Sequence, residues 1–390
     1  MTKTNRKVWI WNVAGNSCTA ISPDRPAEVP LEYEGGFMQP AMSYDSQGRY
    51  VVFSGHVSEY LVPRVWLYDR IDDTLTCITP PSKPCFHAKF NHATTKITFV
   101  SPYNITDADW GDGGVASDSP LTIPSISDNF LDNIAAHQDF AGYGNRLFSN
   151  ARMILRAATM KMSDIYVMNL DGTGIKRITN YKAEVGRPQF NDDDTELYMC
   201  SFDLKIRNNE NPLACTLYKC DADFEGKAAP VCPPLTNYRL FEGDAESYYL
   251  NYKPVPVTLN NGLKVVYFFT TANPFDAEND KSHKLAYIID NPNVAQPIVY
   301  LNSTYDFYTS HGQYWEEETN KILFHAKELS TDEWQAYEVA INPNTGQTAG
   351  DPVKLIPPIS NAANLTIGHI TRKNGYAAFD EETPNDENDQ

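Results

Sequence analysis

The chain has 390 residues, 50 of them acidic and 32 basic, for a net charge of −18 and a pI near 4.8. That balance excludes a phosphate backbone as natural partner, because nucleic acid is held by Lys and Arg neutralisation, and it disfavours anionic membrane surfaces for the same reason. With 42% hydrophobic and 21% charged residues the composition is globular, and no run approaches the roughly 20 apolar residues that span a bilayer.

Residues 1–7 lead into an alternating run rather than an apolar signal core, which predicts a cytoplasmic protein. The sequons at Asn104, Asn302 and Asn364 matter only for a secreted form from which a signal peptide has been removed. Short alternating runs rich in aromatic and β-branched residues follow: Val8 to Trp11, Tyr50 to Phe53, Val65 to Tyr68, Lys96 to Phe99 and Asp164 to Met168. Each ends near Gly, Asn, Asp or Pro, as strands joined by tight turns do. The seven cysteines are an odd number in a chain long enough to bury a core, so reduced thiols are expected rather than a disulfide framework. Cys215 and Cys220 form the tightest pair, but they lie in a strand-like run with no second pair at zinc-finger spacing.

The clearest repeat unit runs from Ser163 to Asn180: a strand, an Asp171-Gly172 turn, and a second strand closing on Ile178-Thr179. Arg187 to Met199 continues it with strand, turn and strand. This pair of segments resembles the repeat of TolB-type β-propellers, whose blades carry an IYxxxxDG…xxLT segment followed by PxFSPDGxxIxF. Partial matches occur from Pro40 to Phe53, from His87 to Phe99 and at Leu235-Thr236-Asn237. The resemblance implies an all-β propeller and says little about function. Two registers count its blades. Inner strands open at Pro40, His87, His137, Pro188, Asn251, His311 and His369, and outer strands end at Ile21, Ile78, Ile123, Ile178, Leu235, Leu301 and Ile356. Both predict a seven-bladed β-propeller. The weakest blade would draw its outer strands from Gly113 to Ile126, so the alternative is six blades with a large insertion at 104–162. The N-terminal strands lack inner partners and the C-terminal strands lack outer ones. Pairing them closes the ring and removes exposed edges. One domain is therefore expected over 1–380, followed by a disordered acidic tail at 381–390.

Strand ends distant in sequence converge on one face of a propeller channel. Four of the seven inner-strand openings are histidine, far more than eight histidines in 390 residues would place there by chance. His87, His137, His311 and His369 are thus candidate ligands for a divalent transition metal, manganese or zinc, and polar channel lining is the competing reading. His56 and His325 end the neighbouring strands on the same face and are candidate catalytic groups with Arg64.

The repeat type and histidine-rich channel also look like oligogalacturonate lyases, although no stretch reproduces that family's local motif. That resemblance implies a metal held by three of these histidines with Gln39, Gln138 or Gln313, and a site acting on an acidic saccharide as lyase or hydrolase. Arg152 and Arg156 would anchor uronate carboxylates, with Arg64 as anchor or base. A non-catalytic scaffold binding a protein, peptide or small-molecule partner fits the same fold. Two minor features are a carboxylate-rich loop at Asp107, Asp109 and Asp112, without the bidentate Glu of an EF-hand, and a short helix from Ser127 to Asn133 over the channel mouth.

Overall fold

The computed structural model describes residues 8–22, 42–55, 64–79, 85–101, 164–179, 184–202, 215–222, 251–270, 284–290, 299–301, 305–306, 314–328, 330, 333–359 and 366–382. Their strands build six radial sheets. β1 (Val8–Asn12) and β2 (Ser17–Ala20) join the last two strands of the chain to form blade 1. Blade 2 is β3 (Met42–Tyr44), β4 (Tyr50–Gly55), β5 (Arg64–Asp69) and β6 (Thr74–Cys77). Blade 3 is β7 (Phe86–Phe90), β8 (Lys96–Ser101), β9 (Asp164–Asn169) and β10 (Lys176–Arg177). Blade 4 is β11 (Glu184–Phe190), β12 (Glu196–Phe202) and β13 (Cys215–Asp221). Blade 5 is β14 (Asn251–Thr258), β15 (Lys264–Thr270), β16 (Lys284–Ile289) and β17 (Val299–Tyr300). Blade 6 contains β18 (Tyr305–Asp306), β19 (Tyr314–Glu316), β20 (Lys321–Glu328), β21 (Glu333–Ala340) and β22 (Val353–Lys354). β23 (Thr366–Lys373) and β24 (Tyr376–Glu382) complete blade 1 in the order β2-β1-β24-β23.

The inner strands β3, β7, β11, β14, β19 and β23 neighbour one another in turn, and β23 returns to β3. The ring is therefore closed at six blades, not seven. The reason lies in blade 3, where β8 pairs directly with β9 from Lys96↔Asn169 to Ser101↔Asp164. Residues 102–163 are thus an insertion between two paired strands, as the six-blade alternative requires, and the proposed inner strand at His137 falls within it. The insertion itself, with the Gly113 to Ile126 stretch, the Asp107 loop and the Ser127 helix, lies outside the described residues.

Closure by the termini is present. Val8↔Asp380 through Asn12↔Tyr376 pair β1 with β24, and β24 runs on to Glu382, two residues into the acidic run. Blade edges follow the repeat motif closely. The Ile-Thr ending of the outer strand is a hydrogen-bonding device: Thr79 Oγ1 accepts from Val65 N and Thr179 Oγ1 from Ile165 N, each at 2.9 Å. The Asp171-Gly172 turn also serves packing, since Gly172 has φ +83° and a Cβ there would lie 2.7 Å from the Ile78 carbonyl oxygen of blade 2. Gly172→Ala is expected to cost about 2 kcal/mol from backbone strain alone, measurable as a lower denaturant midpoint at unchanged slope.

Blades 1 and 6 are joined by a partly buried ionic network. Arg372 on β23 donates from Nη2 to Glu316 Oε2 at 2.7 Å and also meets Glu338, which Lys321 approaches from the other side. Burial pushes the Glu338 carboxyl up, but Lys321 and Arg372 outweigh it and hold the group below the usual carboxylate range. A depressed carboxylate contributes stability that is complete above its unfolded pKa of about 4.3 and is lost as pH falls through its folded value. Arg372→Met leaves Glu316 and Glu338 without their guanidinium and is expected to cost about 3–5 kcal/mol at pH 7. Urea unfolding at pH 7 and pH 4 checks both points, because the variant should lose less stability on acidification than the wild type.

Candidate functional site

All six inner strands contribute to one axial cavity of about 90 Å³, lined by Tyr44, Phe90, Gln189, Pro256, Trp315 and Lys373 among others. This is the lower part of the central channel, at the ends of the inner strands. Farther up, three consecutive inner strands carry the same irregularity, which recurs in β23 between Ile367 and Ile370. The pairing of β7 with β8 slips between Phe86 and Lys89, that of β11 with β12 between Gly186 and Gln189, and that of β14 with β15 between Tyr252 and Val255. Each is a bulge in which two residues oppose one.

The first residue of each bulge is in the left-handed region: His87 at φ 54°, Arg187 at φ 56° and Lys253 at φ 57°. Glycine is the residue that takes this conformation without steric cost. Here all three positions are basic, and strained backbone held against such a cost is a mark of functional sites.

The strand pattern explains why these side chains meet. On β7, Ala88 and Phe90 pack into a core shared with Val52 and Val65 of blade 2. Alternation therefore turns His87 and Lys89 toward the other face, where blade 4 lies. Gly186 of β11 faces them, and a Cβ placed on it would stand 3.8 Å from His87 Nδ1. His87 and Lys253 are buried and Lys89 and Arg187 half-buried. The Lys253 ammonium also sits 5.3 Å from the ring centroids of Tyr252 and of Phe269.

Burial, and then the charges of Arg187, Lys253 and Lys89, push the His87 imidazole well below the usual histidine range, so it is neutral at pH 7. Burial and Arg187 lower Lys89 to about 7. Lys253 is displaced downward by burial first and Arg187 second, with Cys200 acting the other way. A chain of net charge −18 thus places four basic residues on the inner strands of three consecutive blades.

The metal reading rests on His87 together with His137, His311 and His369, and of these His137 and His311 lie outside the described residues. A divalent ion on the His87 imidazole would have Arg187, Lys253 and Lys89 among its neighbours. Among the described residues, no three His, Cys, Asp or Glu side chains gather as a metal-holding group. Within β13, Cys215 and Cys220 are five residues apart.

The other sequence candidates separate. His325 is buried on β20, opposite Ala336, one strand back from the axis on the blade across the ring from His87. Arg64 begins β5, two strands out from the axis. Its Nε donates to the Thr79 carbonyl at 3.2 Å, which ties the outer strand of blade 2 in place. His369 belongs to β23, and nothing is described of its side chain. His56, His137, His311, Arg152, Arg156, Gln39, Gln138 and Gln313 lie outside the described residues. Sequence reading missed Arg187, Lys253 and Lys89. The signal for the first two was a basic residue directly before proline, Arg187-Pro188 and Lys253-Pro254, in the register where blade 3 has His87-Ala88.

Six sheets set radially around one channel and closed by the two termini decide the fold. It is a six-bladed β-propeller. TolB from Acinetobacter baumannii is 12% identical with TM-score 0.48, over 97% of this chain and 64% of that one, so the chain spans under two thirds of its length. A putative TolB from Agrobacterium tumefaciens is 10% identical with TM-score 0.49, over 98% and 99% of the two chains. An oligogalacturonate lyase in complex with manganese is 10% identical with TM-score 0.44, over 94% and 80%. No family model matches the chain, and no curated protein matches it. At these identities the likeness concerns the fold. No helix among the described residues of this propeller is long and apolar enough to cross a membrane.

Proposed function

We propose that the propeller acts on an acidic saccharide at its channel face, as a lyase or hydrolase of polyuronate chains. The observation that carries this reading is the placement of His87, Arg187 and Lys253 at three equivalent strained bulges around one channel. Uronate carboxylates recur at every sugar, and a ring of bases on successive blades suits a ligand with more than one negative group. Arg187 supplies a planar fork for a carboxylate. Cations fixed in a partly dry channel also stabilise the enolate-like charge that forms when the proton beside a uronate carboxylate is removed. No step is assigned to a metal, because the surroundings of His87 disfavour one. We place the activity in the cytoplasm, in keeping with the odd number of cysteines in the chain.

The test is incubation with oligogalacturonate, oligomannuronate and a neutral oligosaccharide of matched length. New ultraviolet absorbance from an unsaturated sugar end identifies elimination, and new reducing ends without absorbance identify hydrolysis. Calorimetric binding of the acidic chains without turnover would assign the channel to a binding module. Equal behaviour toward acidic and neutral chains would remove the proposal.

A further inference from the structure

The hairpin between β23 and β24 ties blade 1 to both of its neighbours through three consecutive residues. Arg372 and Lys373 meet Glu316 and Glu318 of blade 6, and Asn374 Nδ2 donates to the Gln47 carbonyl of blade 2 at 2.8 Å. Asn374 and Gly375 are the exposed tip of this hairpin, a two-residue turn between the paired Lys373 and Tyr376. Both have positive φ, 49° and 78°, which is why the turn takes Asn-Gly. The same dipeptide occurs once more in the chain, at Asn261-Gly262. There too the Asn side chain donates across a blade boundary, from Nδ2 to the Asn344 carbonyl at 2.8 Å. In an Asn-Gly pair the side-chain amide is open to attack by the following backbone nitrogen, because glycine puts no Cβ in the path. Both glycines also stand in open space, with nothing within 4 Å of a Cβ built on either. Hydrogen bonding separates the two turns. Gly262 N donates to the Leu259 carbonyl at 2.8 Å and Asn261 Oδ1 accepts from Leu263 N at 2.9 Å, so the attacking nitrogen and the attacked amide are both held. Among the described residues nothing accepts from Gly375 N, and Asn374 is held at Nδ2 alone.

We infer that Asn374 is a site of spontaneous modification, where conversion of its amide to an acid releases blade 1 from blade 2. The Gly375 nitrogen gives up its proton and attacks Cγ of Asn374. The bond from Cγ to Nδ2 breaks, ammonia leaves, and a cyclic imide remains. Water then opens the ring at either carbonyl, which leaves aspartate or isoaspartate. Water is the only co-reactant, and no oxidant or reductant is consumed. Either product replaces the Nδ2 donor that faced the Gln47 carbonyl by a carboxylate, so a hydrogen bond becomes a contact between two acceptors. Isoaspartate also adds a methylene to the main chain, which a two-residue turn cannot absorb without disturbing the register of β23 on β24. The inference is independent of the saccharide reading and of any ligand in the channel.

The full-length protein is aged at pH 8, where the backbone amide ionises more readily than at pH 6, and peptide mass spectrometry then follows both Asn-Gly pairs. In the folded protein, conversion at Asn374 is expected to outpace that at Asn261 by at least about fivefold, the factor that one hydrogen bond is worth. In urea, where both turns are lost, the two should convert at similar rates. Equal conversion in the folded protein, or faster conversion at Asn261, overturns the inference. The aged fraction gains a negative charge and separates by anion exchange. It should unfold at a lower denaturant concentration than fresh protein, and Asn374→Asp should reproduce the shift of the aspartate form. An aged fraction that carries the acid at Asn374 yet unfolds like fresh protein overturns the release of blade 2. Because site, rate and midpoint are all read on the wild-type chain, the result does not depend on whether the variant folds.

Discussion

Deletion of residues 2–22 is expected to leave no folded monomer. The segment contributes β1 and β2, and β1 is the third strand of a sheet whose first two strands come from the other end of the chain. Val8 and Ile10 pack with Tyr44, Val51 and Phe53 of blade 2, while Trp11 packs with Phe379 of blade 1 and with Leu323 and Ala336 of blade 6. The deletion therefore strips apolar cover from both neighbouring blades as well as from its own. Loss of a buried Leu- or Trp-sized side chain typically costs about 2–5 kcal/mol. Three such losses at once reach the whole stability of an ordinary domain, about 5–15 kcal/mol. β24 would in addition become an open edge, a template for pairing with other chains. Size-exclusion chromatography should show aggregate or oligomer, and a synthetic peptide of residues 2–22 added during refolding should restore monomer. A deleted chain that remains monomeric with the native circular dichroism spectrum would show that closure does not hold the ring.

Replacing Arg187 and Lys253 together by Gln is expected to lower affinity for oligogalacturonate at least about 100-fold. Truncating one partner of a buried charge contact commonly costs about 2–5 kcal/mol, and each factor of ten is about 1.4 kcal/mol. Binding to wild type should weaken with added salt, and this dependence should flatten in the double variant. A pH effect accompanies it. Lys89 is cationic below its value of about 7 and neutral above, so wild-type affinity should fall as pH rises through 7, and Lys89→Arg should hold its affinity across the same range. Titration calorimetry at pH 6, 7 and 8 measures all of this, with circular dichroism to verify the fold. Unchanged affinity in the double variant would move the anion site elsewhere.

Much of the fold was legible in the chain. Val8 to Trp11, Tyr50 to Phe53, Val65 to Tyr68, Lys96 to Phe99 and Asp164 to Met168 all lie within strands, because alternation with tight turns is a local signal that few other structures produce. The Ile-Thr endings and the Asp171-Gly172 turn are equally local, each set by hydrogen bonds within a few residues of the chain or to the adjacent strand. Ring closure was legible too, since unpaired strands at both ends have one economical solution.

The number of blades was not. A register of strand openings counts candidate strands, whereas the blade count depends on which edges pair, and the pairing of Ser101 with Asp164 spans a stretch that the repeat pattern reads as another blade. The site was decided the same way. Histidines drew attention because imidazole at repeated positions suggests metal. His87 has Lys89 on its own strand and Arg187 and Lys253 on the next two blades among its charged neighbours, a grouping that no local pattern in the sequence marks. Local pattern specifies strands and turns because the forces behind them act over a few residues. Which side chains share a channel, and therefore the sign of its charge, depends on the packing of blades 100 residues apart and more, from His87 to Lys253, and that only the closed ring brings about.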